Sequence, residues 1–348
     1  MVRSILITGG AGFIGCNLAA RYLKANRRVI VLDNFSRHGS HANVRWLRRI
    51  GHGELTVVRA DVRIDRTMLA KVVEEVDVVF HLAAQVAVTT SVVDPREDFD
   101  INALGTLNVL EAVRHSSRRP IVMYSSTNKV YGRMDVAVVE RNGRYAYAAG
   151  DVGIPEVQPL DFHSPYGCSK GCGDQYVVDY ARTFGLRTVV FRQSCIYGPH
   201  QHGMEDQGWI AWFALRCLRN EPVVIYGDGK QVRDVLFVSD LVSAYTWAVA
   251  HIDRTAGEVY NIGGGPANTL SLNELIVILE QATCRPLRCS FDDWRPGDQR
   301  VFISDVSKAR EHFGWEPRVG IEEGISRLLA WLSRSRSVLR TSNGVPTA

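Results

Sequence analysis

A tyrosine and a lysine four residues apart carry the clearest chemical signal in this sequence. Tyr166 and Lys170 lie in the segment Tyr-Gly-Cys-Ser-Lys, and residues at this spacing share one face of a helix. An unperturbed tyrosine has a pKa of about 10, and a nearby ammonium group lowers that pKa by favouring the phenolate. We therefore expect Tyr166 to remove a proton from an alcohol, while the Thr127 hydroxyl hydrogen-bonds the reacting oxygen. A chance Tyr/Lys pair and a strand-end cap at Thr127 are the structural alternatives.

A glycine-rich turn near the N-terminus would bring a reaction partner to this pair. An apolar run over 4–8 predicts a strand, Gly9, Gly12 and Gly15 follow at a spacing of three, and a helical repeat of apolar residues comes next. A backbone without Cβ atoms turns tightly and approaches a ligand closely. The N–H groups that open the helix then attract an anion, most often a pyrophosphate. This order of strand, turn and helix predicts a dinucleotide site, with a purely structural turn as the alternative.

Asp33 indicates which dinucleotide is bound. It follows the apolar run 28–32 and therefore stands at the tip of the second predicted strand. A carboxylate there accepts hydrogen bonds from the adenosine ribose hydroxyls and repels a 2′-phosphate. We predict NAD rather than NADP, a preference that the nearby Arg37 would soften.

Apolar runs alternate with helical patterns through the first half of the chain. Further strands are predicted over 55–58, 76–82, 121–124 and 187–191. Strands that alternate with helices indicate an α/β fold with a Rossmann-type, doubly wound parallel sheet. Ligands of such sheets bind beyond the carboxyl ends of the strands. Several candidate residues share that location: Gly9, Asp33, Asp61, Ala83 and Thr127.

The rhythm changes in the second half of the chain, where elements are shorter and glycine and proline more frequent. Residues 133–165 have little periodicity and predict a long loop or lid. We predict that 1–193 form the cofactor domain, with 235–250 packing back on it. Residues 194–333 would form a smaller C-terminal α/β domain that covers a substrate, and 334–348 a disordered tail.

The composition excludes several classes of function. Hydrophobic residues make up 46% of the 348 residues, and the net charge of +4 comes from scattered Lys and Arg, so nucleic acid is not an expected partner. Seven cysteines at irregular spacing predict reduced, mostly buried thiols and no metal site. No uncharged apolar run reaches 18 residues, and the chain enters its first strand at once. We expect a cytoplasmic protein without a membrane span.

Together these motifs resemble the extended short-chain dehydrogenase/reductases, and more narrowly the NAD-dependent nucleotide-sugar epimerases and dehydratases. The segments that carry the resemblance are 125–132 (SSTNKVYG), 160–170 (LDFHSPYGCSK), 206–209 (DQGW), 229–235 (GKQVRDV) and 298–301 (DQRV). In the dehydratases of this family an Asp-Glu pair follows the threonine, whereas this chain has Asn128 and Lys129. The resemblance therefore favours epimerisation over elimination of water.

What the resemblance implies is transient oxidation of a sugar hydroxyl to a ketone, followed by return of the hydride to the other face. The segments 161–164 and 206–209 are most similar to 2-epimerases that act on CDP-linked deoxyhexoses. A 4-epimerase, a 2-epimerase acting on a GDP- or UDP-hexose, and a non-catalytic NAD-binding regulatory protein remain the alternatives. The family also suggests a homodimer or homotetramer that pairs through helices near 101–116 and 166–184.

The candidate site residues follow from the motifs and the resemblance together. The catalytic residues are Thr127, Tyr166 and Lys170. The cofactor-binding residues are Gly9, Gly12, Phe13, Ile14, Gly15, Asp33, Asn34, Asp61, Val62, Leu82, Ala83, Ala84, Gln85, Asn102, Ser125, Tyr166 and Lys170. The substrate-binding residues are Asn128, Lys129, His163, Gln193, Ser194, Gln207, Arg233, Arg295 and Asp298.

Overall fold

A computed structural model describes residues 2–150, 152–295 and 297–335 of the chain. Within them the strands are β1 Ser4–Thr8, β2 Arg28–Asp33, β3 Glu54–Arg59, β4 Val78–His81, β5 Ile121–Thr127, β6 Val138–Arg141, β7 Arg144–Tyr147, β8 Thr188–Gln193, β9 Cys195–Tyr197, β10 Val223–Tyr226, β11 Val232–Phe237, β12 Val259–Ile262, β13 Thr269–Ser271, β14 Cys289–Asp292 and β15 Val301–Phe302. The helices are α1 Phe13–Lys24, α2 Ser40–Arg48, α3 Arg66–Val73, α4 Val88–Val93, α5 Pro95–Phe99, α6 Gly105–His115, α7 Ser164–Phe184, α8 Trp209–Arg219, α9 Val238–Ala250, α10 Ile252–Thr255, α11 Leu272–Thr283, α12 Ser307–Phe313 and α13 Ile321–Arg334. A π-helical segment, Asp100–Leu104, precedes α6, and 3₁₀ turns span Asn128–Tyr131 and Pro266–Asn268.

Seven strands of the described chain form the main parallel sheet, in the order β12-β8-β5-β4-β1-β2-β3. Strands β1, β4 and β8 are buried along their whole length, because helices cover both faces of the sheet. The predicted α/β, doubly wound fold is confirmed. The chain moves outward from β1 to β3 and then returns to β4 on the other side of β1. Ligands bind at such a reversal of strand order.

Two apolar cores cover the two faces of this sheet. On one face Phe80 and Tyr245 belong to a core that includes buried side chains of α1, α2, α9 and α12. On the other face Val109 of α6 and Val177 of α7 pack around Tyr124 of β5, together with α3. Helix α7, which carries Tyr166, is thus fixed along the sheet on the same face as α6.

The second half of the chain builds a smaller unit around β11. This strand pairs with β13, β15 and β9, and helices α8, α11 and α13 pack into one apolar core beside it. Helix α11 opens with a reciprocal capping box between Ser271 and Glu274, as the Ser-x-x-Glu pattern indicates. The unit lies against the carboxyl end of β5 and supplies the far wall of the candidate site.

Two elements differ from the sequence predictions. Residues 138–147, predicted as loop, form a β-hairpin of β6 and β7, whose turn residues Asn142 and Gly143 both have positive φ, 52° and 76°. Asn-Gly is the favoured pair for such a turn, so the signal was present in the sequence. Strand β12 pairs with β8, and the predicted cofactor domain 1–193 therefore leaves out one strand of its own sheet.

Three further expectations concern the membrane, the cysteines and the tail. No helix in the described residues is both long and apolar enough to cross a membrane. Only Cys16 and Cys217 are buried, while Cys168 and Cys284 are exposed, so the expectation of mostly buried thiols is wrong. Arg334 is the last residue of α13, and 336–348 of the predicted tail lie outside the described residues.

Candidate active site

Two cavities meet at Tyr166. The first cavity has a volume of about 230 Å³ and lies beyond the ends of β1, β2 and β4. The second cavity has a volume of about 590 Å³ and lies between the end of β5 and the C-terminal unit. Tyr166, Ser125 and Ser126 line both cavities. A molecule in one cavity can therefore react with a molecule in the other beside the same phenol.

The glycine turn forms the floor of the first cavity and requires glycine for steric reasons. Gly9 has a φ of 67°, and a Cβ atom there would lie 2.7 Å from the backbone nitrogen of Ala83. A Cβ atom on Gly15 would overlap the carbonyl oxygen of Gly9. No side chain caps α1 and no acidic residue stands in its first turn, which leaves the helix N-terminus suited to an anion.

Asp33 fastens this turn and lines the first cavity. Its carboxylate accepts hydrogen bonds from the backbone N–H of Ala11, at 3.0 Å, and of Phe35, at 2.8 Å. Burial raises its pKa, against these hydrogen bonds. Asp61 lies nearby. Although burial opposes it, hydrogen bonds from Arg63 and Asn34 lower the pKa of Asp61 to about 2, so its carboxylate is already engaged.

Most predicted cofactor residues line the first cavity: Gly9, Gly12, Phe13, Ile14, Gly15, Asp33, Asn34, Asp61, Val62, Leu82, Ala83, Ala84, Ser125, Tyr166 and Lys170. Gln85 and Asn102 do not. Asn102 donates to Ser169 Oγ at 3.0 Å and accepts from the Gln85 N–H at 3.0 Å. Both side chains also donate to Asp98. Through Asp98 and Ser169 these hydrogen bonds join the two residues to α5 and α7, and cofactor binding by them stays a prediction.

Apart from Arg37, which the sequence analysis placed near the cofactor, the residues that close the first cavity were not predicted. Arg37 and His38 come from the loop after β2, and His200, Gln201 and His202 from the segment after β9. No spacing rule connects these two stretches, because only the fold brings them together. Their histidine and arginine content was visible in the sequence, but their common location was not.

Tyr166, the predicted base, is buried, 8% exposed, in the first turn of α7. Its backbone N–H donates to Ser91 Oγ at 3.1 Å. Burial raises the pKa of Tyr166 to about 12, and a hydrogen bond with Thr127 and the charge of Arg37 oppose that rise. The expectation that Lys170 lowers this pKa is not met. The Lys170 ammonium lies 4.3 Å from the centroid of the Tyr124 ring, and burial lowers its own pKa to about 7.

The second cavity contains a group of cations held by carboxylates. Arg233 Nη2 lies 2.7 Å from Asp298 Oδ1, and Lys129 Nζ lies 3.7 Å from the same oxygen. Arg295 pairs with Asp206 at 3.1 Å and lies 3.9 Å over the ring of Tyr226. Two arginines at one wall suit a pyrophosphate, since the guanidinium fork pairs with phosphate oxygens.

The other predicted substrate residues fall into two groups. Eight line the second cavity, together with Thr127: Asn128, Lys129, Gln193, Ser194, Gln207, Arg233, Arg295 and Asp298. His163 lies outside both cavities, half exposed, with Nε2 2.8 Å from Asp161 Oδ2. It therefore belongs to the loop that leads into α7. The sequence also missed the apolar wall of the second cavity, which includes Trp209, Trp212, Phe213 and Leu272.

Comparison with known proteins identifies the family. A family model described as "Epimerase: NAD dependent epimerase/dehydratase family" matches residues 5–263. The chain belongs to this family. The predicted family resemblance is confirmed. The residues that line the first cavity all lie within the segment that the family model matches.

Relatives of this epimerase/dehydratase include enzymes for both reactions. The chain is 44% identical to CDP-paratose 2-epimerase of Salmonella typhi, over 94% of this chain and 99% of that protein. A crystal structure of UDP-glucose 4-epimerase from Thermotoga maritima, with UDP-glucose, matches with a TM-score of 0.82 at 32% identity, over 95% and 98% of the two chains. A dTDP-glucose 4,6-dehydratase from Streptomyces venezuelae, solved with NAD bound, matches with a TM-score of 0.83 at 28% identity, over 96% and 98%.

A buried ion pair joins three elements that line the candidate site of this epimerase/dehydratase. Asp174 of α7 accepts two hydrogen bonds from Arg192 of β8, both at 3.0 Å, and one from Ser126 Oγ at 2.7 Å. The side chains of Asp174 and Arg192 are 0% and 5% exposed. The pair joins α7, β8 and the end of β5, the three elements that carry Tyr166, Gln193 and Thr127.

Proposed function

We propose that the protein is an NAD-dependent nucleotide-sugar 2-epimerase that acts on CDP-paratose or a related CDP-hexose. The observation that carries the reaction class is Tyr166, which lines both the first and the second cavity. The similarity to CDP-paratose 2-epimerase, 44% over 94% of the chain, supports the CDP nucleotide and carbon 2.

The residues of the first cavity fit NAD. The glycine turn has no room for Cβ atoms at Gly9 and Gly15, as expected where a backbone approaches a pyrophosphate. The uncapped start of α1 offers N–H groups to that anion. Asp33, at the tip of β2, is positioned for the adenosine ribose and opposes a 2′-phosphate.

The reaction depends on proton transfer at one oxygen atom. NAD bound in the first cavity would supply the hydride acceptor and, for return to the opposite face of the sugar, the hydride donor. Tyr166 accepts the ring-hydroxyl proton at its Oη and later gives it back, while Thr127 hydrogen-bonds the same sugar oxygen. Between removal and return of the hydride, the keto sugar rotates within the second cavity so that its other face meets the cofactor. The cavity volume of about 590 Å³ gives it room to do so.

The nucleotide would be held in the second cavity beyond the sugar. Arg233 and Arg295 bind the pyrophosphate, and Asp298, held by Arg233 at 2.7 Å, accepts from the ribose. Gln231 lines this cavity, its Nε2 donates to the carbonyl of Tyr226 at 2.7 Å, and its Oε1 has no partner within the described residues. A free acceptor in a cavity that Tyr226 also lines suits the exocyclic amino group of cytosine.

Elimination of water is the less favoured reaction. Asn128 and Lys129 follow Thr127 and line the second cavity. An amide and an ammonium ion do not provide the acid and the base that elimination of water requires. Burial and the charge of Arg233 lower the pKa of Lys129. A 4-epimerase is the second candidate, favoured by the fold match to the Thermotoga maritima enzyme, because regiochemistry depends on how the sugar lies.

We also propose a cytoplasmic homodimer or homotetramer that pairs through α6 and α7. On α7 the large side chains of Tyr176 and Phe184 are 43% and 38% exposed, which leaves apolar surface on this face for a partner subunit. A bond from Tyr180 to Glu111, at 2.7 Å, already ties the two helices into one rigid face. Analytical ultracentrifugation of the wild type and of a Phe184→Glu variant tests this assembly.

The test of the reaction is proton NMR of purified protein with CDP-, GDP- and UDP-hexoses, including CDP-paratose. Inversion at C2 of a CDP sugar is expected. Inversion at C4 would retain the chemistry and overturn the regiochemistry. No inversion of any sugar by NAD-loaded protein would contradict the proposed function, and the Tyr166→Phe variant serves as the inactive control.

A further inference from the structure

Arg37 lies where the two cavities meet. It belongs to the loop between β2 and α2 and lines the first cavity. Its Nη1 donates to Gln207 Oε1 at 2.9 Å, and Gln207 lines both cavities. The guanidinium therefore reaches from the cofactor half of the molecule to the substrate half, across the space next to Tyr166.

This cation has no carboxylate partner among the described residues, unlike the other arginines of the site. Arg233 and Arg295, the other two arginines that line the cavities, each pair with an aspartate. Burial lowers the pKa of Arg37, yet a guanidinium keeps its charge in proteins. Arg37 is half-buried, and its observed side-chain hydrogen bond is to the neutral amide of Gln207. Its remaining guanidinium N–H donors can therefore bind an anion.

Aromatic contacts hold the two stretches that meet around Arg37. His38 meets His202 edge-on at 5.6 Å, and Trp46 stacks on His200 at 3.6 Å. Asn17 of α1 donates to the carbonyl of Pro199 at 2.9 Å. The loop that carries Arg37 is thus fastened to the segment 199–207, so that the guanidinium has a defined place over the junction.

We propose that Arg37 binds a phosphate oxygen of a nucleotide ligand at this junction and holds a positive charge near the Tyr166 hydroxyl. The proposal rests on the proposed function, because it needs a dinucleotide in one cavity or a nucleotide diphosphate in the other. The phosphate comes either from NAD or from the CDP sugar, and both present the same chemistry to a guanidinium. The charge of Arg37 opposes the rise of the Tyr166 pKa, in keeping with this location.

Isothermal titration calorimetry on nucleotide-free protein tests the proposal with an Arg37→Gln variant. NAD is titrated first, and CDP is then titrated into the NAD complex. Loss of a charged hydrogen bond should weaken one of the two affinities by about tenfold or more. A loss confined to NAD assigns the phosphate to the cofactor, and a loss confined to CDP assigns it to the substrate. The matched control is Arg45→Gln, which removes the same charge from an exposed residue of α2.

Affinities for both ligands within about twofold of the Arg45→Gln control would overturn the proposal. If Arg37→Gln does not fold, Arg37→Lys takes its place, and an affinity equal to wild type for both ligands would again refute phosphate binding through the guanidinium fork. Failure of wild-type protein to bind NAD would contradict the proposed function instead. Different measurements therefore refute the role of Arg37 and the proposed function.

Discussion

The pKa of Tyr166 must fall on ligand binding if this residue is the base. Burial raises it to about 12, so that only about one molecule in ten thousand carries the phenolate at pH 8. A pKa of about 8 in the complex requires four units of change, or about 5 kcal/mol of preference for the charged form. Lys170 is not among the groups that lower the pKa of Tyr166 in the ligand-free protein, and its ammonium lies over the Tyr124 ring. The positive charge that NAD brings beside Tyr166 is the expected source.

Ultraviolet difference absorbance of tyrosinate measures this change directly. Nucleotide-free protein and the NAD complex are titrated from about pH 6 to 10, and the Tyr166→Phe variant is subtracted as the matched control. We expect no Tyr166 signal across this range without NAD, and a midpoint below about pH 9 with NAD. Activity of Tyr166→Phe should fall by about 10²- to 10⁴-fold or more, with the affinity for NAD retained.

Two results would refute this reasoning. A Tyr166 titration midpoint near neutrality in nucleotide-free protein would mean that burial does not determine the pKa of the phenol. It would support the original prediction that Lys170 lowers this pKa. An unchanged signal in the NAD complex, together with full activity of Tyr166→Phe, would mean that another group takes the proton.

Two more predictions test the scaffold of the site. Asp174→Asn leaves the buried Arg192 without its counter-ion, and the free energy of unfolding should fall by about 3–5 kcal/mol in thermal denaturation. Glu323→Gln, in an ion pair whose side chains are about half exposed, should change it by less than about 1 kcal/mol, and equal effects would contradict the argument. Gly15→Ala puts a Cβ against the backbone of the glycine turn and should abolish NAD binding in calorimetry. Gly320→Ala, with nothing within 4 Å of its added Cβ, is the control and should bind as wild type.

Local signals in the sequence predicted the framework of this site. The spacing of Gly9, Gly12 and Gly15, the carboxylate at the end of β2 and the Tyr/Lys pair each lie within a few residues of chain. Each is constrained by backbone geometry that any α/β fold shares. The Asn-Gly turn of the β6–β7 hairpin was also local, and attention to it would have corrected the predicted loop.

Long-range contacts account for what the sequence did not predict. Arg37 and Gln207 are 170 residues apart, and nothing near either residue indicates that they meet. Lys170 lies on the predicted face of the helix. Its ammonium, however, packs over the Tyr124 ring, and burial lowers its pKa. The Asn102 amide donates to Ser169 of α7, a contact between residues 67 positions apart in the sequence. Such outcomes depend on side-chain packing, which no spacing rule encodes.

A reaction that returns its hydride to the sugar requires both ligands to be enclosed together. The segment 199–207 meets this requirement because it lines both cavities. Its first residues stack on Trp46 of the cofactor half, and its last residues hold Arg37 and Arg295. Under the proposed function, the same short stretch would enclose both the dinucleotide and the sugar nucleotide, with Tyr166 at the wall that the two cavities share. A dehydrogenase must open such a stretch in every cycle to exchange its cofactor, whereas an epimerase need only release the sugar nucleotide.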